Sequence, residues 1–81
     1  MAHEIFSDFI NKNKLNGDQI YFVNTIIKFL NINGTIDKEM LFTQPPFTEK
    51  NDQGAIGLFS EAKIIELLNI IQDVNQNSVV A

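Results

Sequence analysis

The sequence predicts an all-α fold, a small bundle of three to four helices with a proline-containing linker packed across it. Three observations predict this. Apolar residues recur at helical rather than alternating spacing along most of the chain. The runs are bounded by capping and terminating residues at the right offsets. Between the two longest runs lies a connection of unusual character: Asn33-Gly34-Thr35-Ile36-Asp37, then Leu41-Phe42, then Pro45-Pro46-Phe47, closing at Gly57-Leu58-Phe59. Its Phe and Leu side chains make it too apolar for an ordinary solvent loop, so it is expected to be fixed against a helical body. Isoleucine is abundant, but the 3.6-residue period is strong enough to prefer helix over strand.

The first helix is predicted over residues 4–13, where Ile5, Phe6, Phe9 and Ile10 share one face, and Asn11-Lys12-Asn13-Lys14 ends it. Asn16 is placed to cap the second helix, with Gln19 three residues on completing a capping box, and Leu15 and Ile20 placed as a hydrophobic staple. That helix is expected over residues 17–32. Its apolar residues cover more than half the circumference, leaving only a wedge of Asn24, Lys28 and Asn31. Such a pattern predicts a central helix touched from several sides. Gly34 supplies the left-handed position that closes it.

Thr35 or Asp37 is placed to cap a third, short helix at residues 38–43, carrying Met40, Leu41 and Phe42 inward, and Pro45-Pro46 forbids its continuation. Residues 48–57 are polar and turn-rich and read as a surface excursion, mobile around Asn51-Asp52-Gln53-Gly54. A short extended stretch is expected at residues 55–59. Ser60 caps the last helix, residues 61–76, with Glu61 in its first turn to suit the dipole. Ile64, Leu67, Leu68, Ile71 and Val74 form its stripe, widened by Ile70, while Ile65 points away and needs another partner or water. The end of the chain, residues 77–81, is expected to fray. The second and last helices are expected to pack antiparallel, strapped by the linker.

Eighty-one residues make one small helical domain or a piece of a larger protein, and residues 1–81 are read as one unit. A chain of this size buries only about 60–65% of its unfolded surface. With no cysteine and one histidine, His3, at a start that reads as frayed or added (Met1-Ala2-His3), a structural zinc site lacks ligands. The formal net charge is −4, the six lysines are scattered and there is no arginine. Direct nucleic-acid binding needs clustered positive charge and is not expected. No run approaches a membrane span, no signal peptide is visible, and a cytoplasmic location is expected.

The residues offer little chemistry. Asn31-Ile32-Asn33-Gly34-Thr35-Ile36 resembles the centre of a calcium-binding EF-hand loop. Placing Gly34 at the sharp turn, however, puts Phe29 and Met40 where carboxylates should be, so no calcium is expected. Glu49, Asp52 and Glu61 flank a turn-rich loop and read as solvated charges. Ser60 has no histidine placed to activate it, and capping explains it. No phosphate-cradling glycine loop exists. No catalytic, cofactor or metal residue is therefore assigned. Asn75 falls near the apolar face of the last helix, beside Leu68 and Ile71. Two uses are open to it: a local backbone bond at the helix end, or a buried hydrogen bond that fixes the path of Pro45-Pro46-Phe47. Asn16, Gly34, Ser60 and Asn75 are the expected structural positions.

The apolar stripes together exceed what so short a chain wraps by itself. A leftover patch is expected to dock on something else, with Tyr21, Phe29, Ile32, Pro46, Phe47 and Ile65 as its contributors.

The order of landmarks carries a family resemblance. Leu15-Asn16-Gly17-Asp18-Gln19-Ile20-Tyr21-Phe22-Val23 opens a helix, and Asn33-Gly34-Thr35-Ile36 turns it. Leu41 precedes Pro46-Phe47, Gly54 through Phe59 returns as Gly-x-x-Gly-Leu-Phe, and the last helix ends in Val74-Asn75. Over residues 15–76 this resembles the C-terminal helical region of the R (restriction and translocation) subunit of type I restriction endonucleases. The resemblance implies a piece of a large subunit with a nuclease domain and two ATPase lobes that translocate DNA using ATP and Mg. It also implies a role in joining that motor to the methyltransferase core, or to other domains of the same subunit. None of the nuclease or ATPase motifs maps onto this chain, so no catalytic residue or cofactor is carried over. The alternatives are a free-standing helical regulator or adaptor with a degenerate EF-hand-like turn, and an accessory nucleotide site, for which no loop is present.

Overall fold

A computed structural model describes the backbone of residues 2–49 and 52–80 and the side chains of residues 4–49 and 52–76. Among the described residues there is helix and no strand. The elements are α1 (Ala2–Asn13), α2 (Gly17–Asn33), α3 (Met40–Thr43), a 3₁₀ turn (Gly54–Gly57) and α4 (Glu61–Val80). The all-α expectation holds.

The helix ends follow from local chemistry. Lys14 takes a left-handed conformation (φ 51°), and the Leu15 amide reaches back to the Ile10 carbonyl at 3.4 Å, closing α1 while Leu15 is buried. The capping box of α2 is formed in both directions. The Gln19 amide donates to Asn16 Oδ1, and the Asn16 amide donates to Gln19 Oε1, each at 2.9 Å. Gly34 (φ 83°) ends α2, its amide donating to the Leu30 carbonyl at 2.7 Å. Neither candidate caps α3: its N-cap position is Glu39, with no side-chain cap bond, and Asp37 Oδ1 instead accepts from the Glu39 amide at 3.0 Å in the turn that precedes the helix. Ser60 Oγ accepts from the Lys63 amide at 3.4 Å at the start of α4.

The core draws on every element. Phe6 and Phe9 come from α1, five residues from α2, Leu41 from α3, and Leu67, Ile71 and Val74 from α4. Ile36, Phe47, Ala55 and Phe59 enter from the linker. Five phenylalanines form a continuous stack in the order Phe9, Phe59, Phe22, Phe47, Phe29, with successive ring centroids 6.3, 5.7, 5.5 and 5.9 Å apart. These are tilted or edge-on contacts at favourable separation. The Cα radius of gyration, 11.7 Å, is what about 81 residues of folded domain should give.

Four expectations need correction. The close backbone approaches are α1 with α2 and α1 with α4, together with α3 and α4 against the 3₁₀ turn, so α1, and not an α2–α4 pair, holds the long helices together. Secondly, α2 is not enclosed. Tyr21, Asn24, Lys28, Asn31 and Ile32 all face solvent on one side of it. The high apolar count made it look central, yet two of its large apolar residues lie outside the core. Thirdly, residues 55–59 are not extended and the end of the excursion is not loose. Ala55 is fully buried, and Gly54 (φ 60°) lies so close to α3 that a Cβ there would collide with the Leu41 carbonyl oxygen. Asn51, within the stretch expected to be mobile, lies outside the described residues. Fourthly, α4 continues through the expected frayed end to Val80, while Ala81 lies outside the described residues.

Candidate functional site

The first turns of α2 and the proline corner of the linker face each other across a cleft. Gln19 anchors this arrangement. Besides its capping role, its Nε2 donates to the Leu58 carbonyl at 2.7 Å, tying the start of α2 to the segment that leaves the 3₁₀ turn. Phe47 anchors the other wall. The Pro45–Pro46 peptide is cis, the Phe47 amide bonds the Gln44 carbonyl at 3.1 Å, and the Phe47 ring sits between Phe22 and Phe29. The resulting cavity is about 270 Å³, walled by Phe22, Phe47 and Leu58, with Tyr21 and Pro46 at its mouth and Asp18, Thr25 and Glu49 around the rim.

The remaining linker geometry is set by Asn75. Its Nδ2 donates to the Ile36 carbonyl at 2.8 Å and its Oδ1 accepts from the Ile36 amide at 3.0 Å. Neither expected use of Asn75 is the observed one. It does bond backbone, but across 39 residues of sequence, and it fixes the turn after α2 and not the proline corner. Ile36 is almost fully buried, so both of its peptide groups would be orphaned without Asn75.

The six residues expected to dock separate into three groups. Tyr21, Ile32 and Ile65 are well exposed (54%, 82% and 54%), and Pro46 is exposed. Phe29 is half-buried through its contact with Phe47. Phe47 itself is buried, because the proline corner turns it inward onto the stack, so it is core and not surface. Tyr21, Pro46 and Phe47 come together at the cleft, whereas Ile65 lies apart on α4. Two further exposed apolar residues escaped the sequence reading. Ile56 (59%) sits on the 3₁₀ turn, and Ile5 lies on a second depression between α1 and α4, beside the Lys12–Glu66 ion pair. Ile56 carried no periodic signal, since it lies outside any long helix.

On α2, Asp18, Tyr21, Thr25, Lys28 and Ile32 fall within about 80° of arc. They form one solvent-facing stripe that begins at the cleft. No grouping of three or more histidine, cysteine or carboxylate side chains able to hold a metal occurs among the described residues. No described helix is long and apolar enough to cross a membrane.

A family model described as EcoEI R protein C-terminal matches residues 1–76. The chain belongs to that family, the C-terminal region of the type I restriction enzyme R subunit. The EcoEI R C-terminal match extends over α1, which precedes the span in which the landmarks were legible. No curated protein and no solved structure matches the chain.

Proposed function

We propose that this EcoEI R C-terminal chain is a protein–protein assembly module. In this reading it docks the R subunit, the ATP-dependent translocating endonuclease, onto the methyltransferase core of a type I restriction enzyme in the cytoplasm. The observation that carries the reading is the placement of Ile32, Ile65, Ile56 and Tyr21 in solvent on a chain whose core is already filled by phenylalanines. Large apolar side chains left outside a completed core favour an interface. The acidic balance favours a protein partner over a phosphate backbone. Nuclease and ATPase chemistry, with its ATP and Mg, belongs in this reading to other parts of the R subunit, and this chain acts without touching DNA.

The test is binding of the purified chain to the methyltransferase core encoded beside its parent subunit, measured by calorimetry. Ile32→Asp and Ile65→Asp remove exposed groups, so both variants should keep the far-ultraviolet spectrum of the parent chain. Burial of one isoleucine is worth about 1.5–3 kcal/mol, so each variant should lose about tenfold or more in affinity. Absence of binding, or affinity indifferent to both substitutions, overturns the assignment.

A further inference from the structure

The cleft between Tyr21 and Pro46 has a composition that selects its occupant. Its walls are apolar, from Phe22, Phe47 and Leu58, and its rim carries two carboxylates, Asp18 and Glu49. Neither carboxylate has an ion-pair or side-chain hydrogen-bond partner among the described residues, and no cationic side chain among them lines the cavity. The nearest lysine on the same stripe, Lys28, lies beyond Thr25. At about 270 Å³ the space falls just below the ~300–1,000 Å³ of sites for drug-sized ligands. A helix or strand does not fit such a space, whereas one long side chain does.

The geometry points to an arginine presented by the protein partner as the occupant of this cleft. Three features match that side chain. Its methylene stem lies against apolar walls, as long cationic side chains do elsewhere. Its planar guanidinium stacks on flat faces, and Tyr21 and Pro46 supply two at the mouth. Its charge meets Asp18 and Glu49 in charge-assisted hydrogen bonds. Lysine matches the first and third features but not the second, because its compact, strongly hydrated ammonium does not stack in the same way. The inference rests on the docking role proposed above and names what one part of the partner surface must carry.

The experiment begins without the partner. The ¹⁵N-labelled chain is titrated with N-acetyl-arginine N-methylamide, with the citrulline analogue (same shape, no charge) and with the lysine analogue. The arginine probe should shift the amides of Tyr21, Phe22 and Leu58 saturably, with a millimolar dissociation constant. The citrulline probe should bind at least fivefold more weakly, and the lysine probe should fall between the two. Asp18→Asn and Glu49→Gln should each weaken the arginine probe severalfold. Asp18 also sits in the first turn of α2, where negative charge favours the helix. Glu49→Gln, outside any helix, therefore serves as the variant free of that effect.

Three results overturn the inference: no saturable shift up to about 50 mM probe, equal binding of arginine and citrulline probes, or shifts spread evenly over exposed carboxylates such as Asp73. The assembly assay then separates the two levels. If the methyltransferase core binds and the Asp18→Asn, Glu49→Gln double variant leaves its affinity unchanged, the arginine assignment fails and docking stands. If the core does not bind while the arginine probe does, the partner assignment fails and the cleft stands.

Discussion

Replacing Asn75 should be among the most damaging changes to a polar side chain, and its size follows from what Ile36 would lose. Asn75 satisfies both peptide groups of Ile36, at 2.8 and 3.0 Å, where almost no water reaches. A typical intramolecular hydrogen bond contributes about 0.5–1.5 kcal/mol net, and a buried group left unsatisfied costs about 1–3 kcal/mol. With two such groups and partial relaxation toward solvent, Asn75→Ala should cost about 2–4 kcal/mol. A domain of this length has roughly 4–12 kcal/mol of stability in total. At about 4–8 °C per kcal/mol, the melting temperature should fall by roughly 10–25 °C. Circular dichroism at 222 nm under heat and urea reads both quantities.

Asn75→Asp sharpens the test. The new carboxylate still accepts from the Ile36 amide but has no hydrogen to give the Ile36 carbonyl. Its charged form, part-buried and facing that carbonyl oxygen, is disfavoured in the fold, so its folded-state pKa rises above the unfolded value of about 3.9. Between those two values the folded state binds more protons than the unfolded one, so stability falls as pH rises. The deficit against the parent chain should be full above the folded pKa, shrink as pH falls through that window, and be smallest below about pH 4, where the protonated carboxyl donates as the amide did. An Asn75→Ala cost under about 0.5 kcal/mol, within the range of ordinary surface changes, would refute this reasoning, as would an Asn75→Asp deficit indifferent to pH.

The two positive-φ glycines should respond differently to alanine. Gly34→Ala meets open space and should cost only the left-handed backbone penalty of about 1–2 kcal/mol, whereas Gly54→Ala also collides with the Leu41 carbonyl and should unfold the chain or nearly so, by urea titration. Gln19→Glu keeps the acceptor for the Asn16 amide but sets a carboxylate against the Leu58 carbonyl, so it should cost more than the ~0.5–2 kcal/mol expected for Asn16→Ala. Lys12→Ala breaks an ion pair 3.4 Å long whose lysine is 70% exposed, so it should change stability by under about 0.5 kcal/mol, with little difference between low and high salt.

What was legible in the sequence was what is local. Asn16 with Gln19, Ser60, Gly34 and the α4 stripe are patterns of three to eleven residues, and each helix end obeys chemistry within one turn of itself. What was not legible depends on contacts between segments far apart in the chain. Gly54 reads as a turn glycine in any sequence, and only the path of α3 beside it makes it indispensable. Asn75 could be placed near the apolar face, but its partner lies 39 residues away in a turn whose own sequence does not announce the bond. Phe47 follows two prolines and was equally open to facing solvent or core until the Phe22 and Phe29 rings fixed it. The breadth of apolar residues on α2 misled for a related reason. Periodicity counts side chains around a helix, yet it does not say which of them the rest of the chain will cover.

The solvent-facing stripe of α2 is too small to be a whole interface. From Tyr21 to Ile32 it runs about 17 Å. A stable protein–protein contact covers about 800 Å² on each partner, several times what one helix face of that length presents. A partner seated there must also reach a second patch, and Ile65 on α4 is one exposed apolar residue on a different element, beside Ile5 on α1 and Ile56 on the 3₁₀ turn. Sites on separate elements with no shared contact act independently, within about 0.3–0.5 kcal/mol. The affinity losses of Ile32→Asp and Ile65→Asp should therefore multiply in the double variant, with the fold unchanged in all three. If Ile65→Asp binds as the parent chain does while Ile32→Asp fails, the contact is confined to the α2 side and is a small, transient one. A double variant no weaker than either single variant would mean that the two residues meet the partner as one coupled surface, and the two-patch geometry would be wrong.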